Sequence, residues 1–259
     1  SKVLKMGLIK SKEEIDLMRK SSKIVAEVLS YIKSYIKPGV TTNELDKLID
    51  DYIVSKGAYP AFKGYGGSKR VRPFPAAACI SVNQQVVHGI PGSLELIDGD
   101  IVSVDVGALL NGYYGDGAYT FEVGNVSEKV KKLLKITEES LYLGIGQAVK
   151  GNTLNDIASA VQSHCEGNGY GVVRSLVGHG VGSHLHEEPA VPNYYTPGNN
   201  MKLRPGMTIA IEPMINMGTY KVVQLRDGWT IETADGEPSA HFEHTILITE
   251  SVPEILTKL

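Results

Sequence analysis

Residues 101–121 read IVSVDVGALLNGYYGDGAYTF, two alternating runs on either side of Asn111-Gly112. An Asn-Gly pair between two such runs is a strong signal for a two-residue hairpin turn. The resulting register pairs position 107 with 116 and position 105 with 118, which puts Asp105 diagonal to Asp116 on one face of the sheet. Diagonal neighbours are about 7–8 Å apart at the backbone, so the two carboxylates can converge on one ion.

Helices with clear start signals lie on both sides of this hairpin. Capping boxes at Ser11 and Thr41 predict two helices, which stop at Pro38-Gly39 and at Gly57. A long helix is predicted over 127–150, and another begins at Thr153. Six residues recur 112 positions later, where Gly39, Thr41, Asn43, Leu45, Ile49 and Gly57 are matched by Gly151, Thr153, Asn155, Ile157, Val161 and Gly169. The constant offset favours an internal duplication over two unrelated capped helices.

Strand-like runs fall between and after the helices. They cover residues 77–82, 101–109, 113–123, 207–215, 220–225, 229–232 and 242–249. Helices open each half and hairpins follow, an order typical of an α+β fold and not of alternating βαβ units. No linker or low-complexity stretch divides the chain, so we expect a single domain over residues 1–259, with residues 1–10 as an N-terminal extension.

The composition indicates a globular protein without a strong electrostatic field. Hydrophobic residues make up 42% and charged residues 21% of the chain, and the formal net charge is −3. These values exclude a disordered chain and give no reason to expect DNA or a membrane as a partner. Cys79 and Cys165 are far apart and form no CxxC pair, and the first residues contain no apolar signal segment. We therefore expect a reduced, cytoplasmic environment.

Four acidic residues stand within strand-like runs, where an unpaired carboxylate is costly to bury. They are Asp105, Asp116, Glu212 and Glu243. A solvated strand face can explain any one of them, but it explains all four together poorly. Like charges about 4 Å apart repel by roughly 4 kcal/mol at an effective dielectric near 20, and a divalent cation relieves this repulsion. His179, in the glycine-dense stretch LVGHGVGSHLHEEP, adds a nitrogen donor, and this donor set suits manganese, iron(II), cobalt(II) or zinc.

Six motifs in this order resemble the type I methionine aminopeptidases. They are VVHGIP with His88, VDVGALLNGYYGD with Asp105 and Asp116, GHGVG with His179, HEEP with His186, IEPM with Glu212 and FEHT with Glu243. The resemblance extends from about residue 8 to the C-terminus. It implies the pita-bread fold, whose two pseudo-symmetric helix–hairpin halves surround a curved antiparallel sheet and agree with the 112-residue offset. The short span between the HEEP and IEPM motifs lacks the insert of type II enzymes.

The resemblance also implies two divalent metal ions, which in this family are cobalt, manganese, iron, zinc or nickel. It assigns Asp105 to one ion, Asp116 and Glu243 as bridges between the two, and His179 and Glu212 to the other ion. The implied enzyme is a metal-dependent methionyl aminopeptidase. It removes the initiator methionine from new proteins and peptides with a small second residue. The reaction proceeds by attack of a metal-activated hydroxide on the first peptide bond.

Three residues receive catalytic roles from the same resemblance. Glu212 is expected to move the proton from the nucleophile to the leaving amine. His186 is expected to donate a hydrogen bond to the developing oxyanion, and His88 to steady the scissile nitrogen. A mechanism with Cys79 as a nucleophile paired with His88 leaves the four acids unexplained. The nearest rival enzyme is an X-prolyl aminopeptidase or prolidase of the same fold, and a non-catalytic relative that binds partners or RNA represents a different class.

A pocket for the methionine side chain is implied as well. Its residues would be Tyr65, Phe74, Cys79, Leu185 and Trp229. Aromatic rings and a soft thiol suit a thioether, although core packing can equally explain each of these residues.

The stretch FKGYGGSKRVRPFPAA before Cys79 departs from the family pattern because it is longer than in the short members. A solvated loop is the favoured explanation of its Lys69, Arg70 and Arg72, and a transient contact with ribosomal RNA is the alternative. The other expected partners are nascent peptides with an N-terminal methionine. We expect the protein itself to be a monomer.

Overall fold

A computed structural model describes residues 7–259 and contains a pair of long helices in each half of the chain. The helices are α1 (Lys12–Ile32), α2 (Thr42–Ser55), α3 (Glu128–Gln147) and α4 (Leu154–Gly167). The predicted capping boxes at Ser11 and Thr41 are both formed. Helix α1 ends before the predicted Pro38-Gly39 stop, because a 3-10 turn over Lys33–Tyr35 follows it.

The predicted duplication is confirmed at the level of backbone structure. Helices α2 and α4 both begin and end 112 residues apart. The capping box of α2 recurs at Thr153, whose backbone N–H is bonded by the Asp156 side chain. Gly57 and Gly169 follow the two helices with φ angles of 78° and 84°. Only glycine adopts this left-handed conformation readily, and it ends a helix.

The strands of the first half surround the predicted hairpin. They are β1 (Tyr59–Pro60), β2 (Ala78–Val82), β3 (Gln85–Val87), β4 (Ile101–Leu110) and β5 (Tyr113–Glu122). Asn111 and Gly112 both have positive φ, 51° and 82°, as the predicted two-residue turn requires. Position 107 pairs with 116 and position 105 with 118, so the predicted register is confirmed. Strand β4 also pairs antiparallel with β1 and β2.

The second half has shorter strands. They are β6 (Gly171–Val172), β7 (Gly178–Gly180), β8 (Glu187–Val191), β9 (Thr208–Ile211), β10 (Met214–Asn216), β11 (Val222–Gln224), β12 (Ile231–Thr233), β13 (Ser239–His241), β14 (His244–Leu247) and β15 (Glu254–Ile255). They form sheets in the orders β15-β14-β9-β7-β8, β13-β10-β6 and β11-β12-β3, the last taking β3 from the first half. All pairs are antiparallel, which agrees with the predicted α+β class.

The observed strands differ from the predicted runs in two respects. The run over 207–215 is two strands, because Pro213 has no N–H to donate and the ladder breaks after Glu212. Seven short strands were not predicted, namely β1, β3, β6, β7, β8, β13 and β15, and β7 lies in a glycine-rich segment that resembles a loop in sequence. A Cβ at Gly178 would collide with the carbonyl oxygen of Ala210, so glycine here allows β7 to lie against β9.

Two hydrophobic clusters attach the helix pairs to the sheets. In the first half, α1 and α2 pack on β4 through Val25, Val28, Leu45, Ile49, Val104 and Val106. In the second, α3 and α4 pack on β9 and β10 through Leu133, Leu141, Ile157, Ile209, Ile211 and Ile215. Backbone hydrogen bonds in both directions between Ala118 and Glu243, of 3.2 and 3.0 Å, join the halves. A membrane span would need a long apolar helix, and residues 7–259 contain none.

Candidate metal centre and active site

The five predicted metal ligands converge where the two halves meet. Asp105 comes from β4, Asp116 from β5, His179 from β7, Glu212 from the end of β9 and Glu243 from the junction of β13 and β14. The His179 Nε2 atom lies 3.3 Å from Asp116 Oδ2, 3.4 Å from Glu212 Oε1 and 3.9 Å from Glu243 Oε2. Residues separated by more than a hundred positions in sequence thus meet at one buried point.

Several oxygens of this cluster are buried and have no hydrogen-bond partner among residues 7–259. They are one oxygen each of Asp105 and Asp116 and both oxygens of Glu243. Glu243 is only 1% exposed. Orphaned carboxylate oxygens in such a place are very unfavourable unless a cation compensates them.

The cluster divides into two groups of donor atoms, within each of which all atoms lie within 4.8 Å of one another. One group is Asp105, Glu212, His241 and Glu243, and the other is Asp116, His179 and Glu243. Carboxylate oxygens with imidazole nitrogens suit divalent first-row metals. Because Glu243 belongs to both groups, the donor set fits two neighbouring divalent cations.

Several ionisable side chains of the cluster have strongly shifted pKa values. Burial raises the pKa of Asp105 and Glu243 well above the ordinary carboxyl value, and neighbouring carboxylates raise it further. Burial disfavours a charged His179, but hydrogen bonds to Asp116 and Glu212 outweigh it and raise the pKa of His179 well above its ordinary value. Burial likewise opposes the Glu212 carboxylate, yet hydrogen bonds from His179 and His241 lower its pKa to about 2. Protons and cations therefore compete for this site.

The ring of His179 has the orientation that a metal ligand needs. Its Nδ1 atom lies 2.8 Å from the carbonyl oxygen of Gly180, to which Nδ1–H donates. This hydrogen bond directs Nε2 towards the carboxylates and leaves it available to a cation.

His241 belongs to the cluster although the sequence pattern did not single it out. Its side chain is buried, and Nε2 lies 3.0 Å from Glu212 Oε2. It precedes Glu243 by two residues in SAHFEHT, and alternation along a strand places such residues on one face. That spacing was the signal that could have identified it.

The two predicted non-ligand histidines both border a cavity of about 420 Å³ that opens onto the cluster. The ring of His186 lies 4.2 Å from that of His179, and the Tyr65 hydroxyl is 2.6 Å from His186 Nδ1. Burial lowers the pKa of both His88 and His186, so both are neutral at neutral pH. His88 has a φ of 60°, a strained conformation for a non-glycine residue that is typical of functional sites.

Four of the five predicted pocket residues line this cavity. They are Tyr65, Phe74, Cys79 and Trp229. Leu185 is not among the lining residues but belongs to the same hydrophobic cluster as Phe74 and Cys79. Burial and the charge of Asp105 raise the pKa of the Cys79 thiol well above its ordinary value. A neutral, buried thiol is a poor nucleophile, which argues against a mechanism that pairs Cys79 with His88.

Comparison with known proteins adds the family. The profile of Metallopeptidase family M24 matches residues 16–250. The chain belongs to this family. It is 53% identical over 252 residues to a methionine aminopeptidase of Clostridium perfringens, an alignment covering 97% of this chain and 99% of that protein. The crystal structure of a methionine aminopeptidase from Thermotoga maritima superposes with a TM-score of 0.92 at 47% identity, over 97% of this chain and 99% of that one.

The pita-bread fold of this M24 chain is shared more widely. A prolidase from Pyrococcus furiosus matches with a TM-score of 0.79 at 25% identity, over 99% of this chain and 67% of that one. The predicted fold and the predicted resemblance to methionine aminopeptidases are both confirmed. A prolidase is much the more distant of these relatives.

A buried ion pair in the M24 chain connects its N-terminal segment to the turn that carries His186. The Lys10 ammonium lies 2.8 Å from Glu187 Oε2, and the Lys10 side chain is only 2% exposed. The other Glu187 oxygen accepts the backbone N–H of His184 at 3.1 Å. Lys10 therefore stabilises this turn through its ion pair with Glu187. Residues 1–6 of the predicted N-terminal extension lie outside the described residues.

We expect Lys10→Met to destabilise the protein by about 2 kcal/mol, because it leaves the partly buried Glu187 carboxylate, 17% exposed, without its ion-pair partner. Urea unfolding followed by circular dichroism measures the change. Lys12→Met, at an exposed position on α1, is the matched control and should change the free energy of unfolding by less than about 0.5 kcal/mol. Adding Glu187→Gln to Lys10→Met should restore part of the loss. Equal stability of the two single variants would contradict the expectation.

Proposed function

We propose that this chain removes the N-terminal methionine from newly made proteins and peptides whose second residue is small, using two divalent metal ions. The observation that carries the proposal is the convergence of five metal-binding side chains beside an apolar cavity in an M24 chain. The names of its relatives support the choice of methionine. We further propose that the whole chain acts as one catalytic domain.

In this proposal the two cations are held by Asp105, Asp116, His179, Glu212 and Glu243. When bound, divalent cations polarise a carbonyl group and lower the pKa of water towards neutrality. The protein contributes buried, negatively charged surroundings that favour the binding of two divalent cations. His241 would orient Glu212 through the 3.0 Å contact between them.

Glu212 is proposed to carry the proton from the attacking water to the leaving amine. Its carboxylate is ionised, because hydrogen bonds from two histidines lower its pKa to about 2 in spite of burial. An ionised carboxylate beside the reacting water can accept a proton, and the same group can then donate it to the amine.

His186 is proposed to stabilise the oxyanion, and His88 to hold the scissile nitrogen. The Tyr65 hydroxyl lies 2.6 Å from His186 Nδ1, and the proposal assigns the hydroxyl as the donor of this hydrogen bond and Nε2–H as the donor towards the substrate. Burial lowers the pKa of His186, so the ring donates from its neutral form. Tyr65, Phe74, Cys79 and Trp229, backed by Leu185, would receive the methionine side chain.

We propose nascent peptides as the natural partners, a cytoplasmic location and a monomeric state. Lys69, Arg70 and Arg72 are exposed and positively charged, which supports a transient contact with ribosomal RNA. Neither DNA nor a membrane is a proposed partner.

A peptide panel tests the proposed reaction against a prolidase activity. Protein loaded in turn with manganese, iron(II), cobalt(II), zinc or nickel is given Met-Ala-Ser, Met-Leu-Ser and Ala-Pro-Ser. We expect methionine release from Met-Ala-Ser, little from Met-Leu-Ser and no alanine from Ala-Pro-Ser. Faster release of alanine from Ala-Pro-Ser would favour a prolidase-like activity, and no release from any peptide would favour a non-catalytic protein.

A further inference from the structure

The long segment before Cys79 is a folded strap formed by residues 66–73. At its base Gly64 N–H donates to Phe74 O at 2.8 Å, and Phe74 N–H donates to Tyr65 O at 2.9 Å. At its tip Ser68 N–H donates to Val71 O at 2.7 Å. The Ser68 hydroxyl also accepts the N–H groups of the residues at positions 70 and 71, each at 3.2 Å. The strap therefore has internal hydrogen bonds that define its shape.

The strap contacts Trp229 from two directions. The indole Nε1–H donates to the carbonyl oxygen of Arg72 at 2.9 Å. The backbone of Gly66 lies against the ring so closely that a Cβ there would be 2.9 Å from Cη2 of Trp229. Val71 packs against Gly228, the residue before Trp229. A Cβ on Gly228 would be 2.7 Å from the methyl groups of Val71.

The backbone of Trp229 is fixed independently of the strap. Asp227 Oδ1 accepts the N–H of Trp229 at 2.8 Å and that of Thr230 at the same distance. What remains free is the rotation of the indole ring about its side-chain torsions. The hydrogen bond to Arg72 O and the contact with Gly66 remove that freedom.

Trp229 is also a wall of the cavity. Its ring lies 5.3 Å from that of Phe74 and 6.2 Å from that of His88, both nearly perpendicular to it. The strap belongs to the first half of the chain and the tryptophan to the second. A segment of one half thus holds an aromatic side chain of the other half against the opening to the metal centre.

We infer that the strap over residues 66–73 is a positioning element for substrate specificity, which holds the Trp229 ring as the wall of the methionine pocket. The inference rests on the proposed function for the identity of the side chain in the pocket. A wall with one fixed ring position discriminates between side chains by shape, because a mobile ring would adapt to several of them. The strap acts through Trp229 and takes no part in the chemical step.

Gly66→Ala tests this inference directly. The added methyl group would meet the indole ring at 2.9 Å and displace it. Gly57→Ala is the matched control, because Gly57 also has a positive φ, 78° against 66°, while none of the described residues places a heavy atom within 4 Å of its Cβ position. Both variants therefore introduce similar backbone strain, but only one contacts Trp229.

Two readouts separate positioning from a general loss of structure. Trp229 is the single tryptophan of the chain, so intrinsic fluorescence reports on this ring alone. We expect Gly66→Ala to increase quenching by acrylamide and to raise KM for Met-Ala-Ser about tenfold while kcat changes less than about twofold. Selectivity for Met-Ala-Ser over the norleucine peptide Nle-Ala-Ser should fall. Gly57→Ala should leave quenching, KM and kcat unchanged.

Val71→Ala provides a second variant that loosens the strap without introducing a clash. It should increase quenching and KM in the same direction as Gly66→Ala. Unchanged quenching in both variants, or increased quenching with unchanged KM and selectivity, would overturn the inference. The quenching measurement needs no substrate, whereas turnover of Met-Ala-Ser by the unaltered protein tests the proposed function. The two proposals can therefore fail separately.

Discussion

Replacing Glu212 with glutamine should lower kcat for Met-Ala-Ser at least about a thousandfold while the fold is retained. Glutamine has the same shape but can neither accept the proton of the attacking water nor neutralise a cation as a carboxylate does. The substitution also removes the charge that hydrogen bonds from His179 and His241 stabilise, at 3.4 and 3.0 Å from the Glu212 oxygens. Initial rates with metal-loaded protein and far-ultraviolet circular dichroism measure the two effects.

Glu250→Gln is the control for this substitution. Glu250 is exposed and contacts Lys150 on the surface, so its loss should leave the rate unchanged. A Glu212→Gln variant that keeps more than about a tenth of the normal rate with both metals bound would contradict the role proposed for Glu212.

Complete removal of divalent metal should abolish turnover, and adding a divalent metal back should restore it. The reason is the set of buried carboxylate oxygens of Asp105, Asp116 and Glu243, which have no hydrogen-bond partner in the described part of the chain. Titration with a chelator, followed by elemental analysis of the same samples, compares activity with metal content. Turnover that persists in a sample shown to be free of metal would leave the proposed mechanism without support.

Metal binding should also stabilise the folded protein, and this effect should depend on pH. Metal at about a hundred times its Kd should add about 2.7 kcal/mol to the free energy of unfolding. In metal-free protein the pKa values of Asp105 and Glu243 are higher in the folded state than in the unfolded state. Protonation of these two groups therefore favours folding at low pH, and this contribution to the free energy of unfolding is lost as pH rises from about 4 through the folded pKa values. The gain from metal should therefore be larger at pH 7 than at pH 5, as measured by thermal unfolding with and without metal.

An Asp105→Asn variant separates this electrostatic effect from a general effect of metal. It removes one of the repelling charges, so metal-free Asp105→Asn protein should lose less stability between pH 5 and pH 7 than the unaltered protein. Parallel stability curves for the two proteins would show that Asp105 does not contribute to the pH dependence.

Much of the candidate site could be predicted because its parts are coded locally. The Asn111-Gly112 turn determines which positions of β4 and β5 face each other, and that register alone puts Asp105 diagonal to Asp116. Glu212 was recognisable as one of four acidic residues within strand-like runs. The specificity of the six motifs then identified the family from the amino-acid sequence alone.

Some features depend on contacts between distant parts of the chain and leave weaker signals. His179 lies in a strand whose sequence resembles a loop because glycines flank it. Glycine is required at both positions because neighbouring backbones lie too close for a Cβ atom. His241 became a candidate only when its ring was found against Glu212. Leu185 was assigned to the pocket by its motif, and in the structure it belongs to the hydrophobic cluster that contains Phe74 and Cys79.

The amino-acid sequence by itself determined the helix caps, the hairpin register, the duplicated halves and five of the six residues of the buried cluster. The caps and the register follow from hydrogen bonding and steric preference within a few residues. The duplication and the cluster residues follow from short motifs that can be recognised in the sequence. Only the tertiary structure decided that Lys10 supports the His186 turn through Glu187, and that the strap holds Trp229. Those contacts join residues more than 150 positions apart, and no local period in a sequence encodes which distant groups will meet when the chain closes.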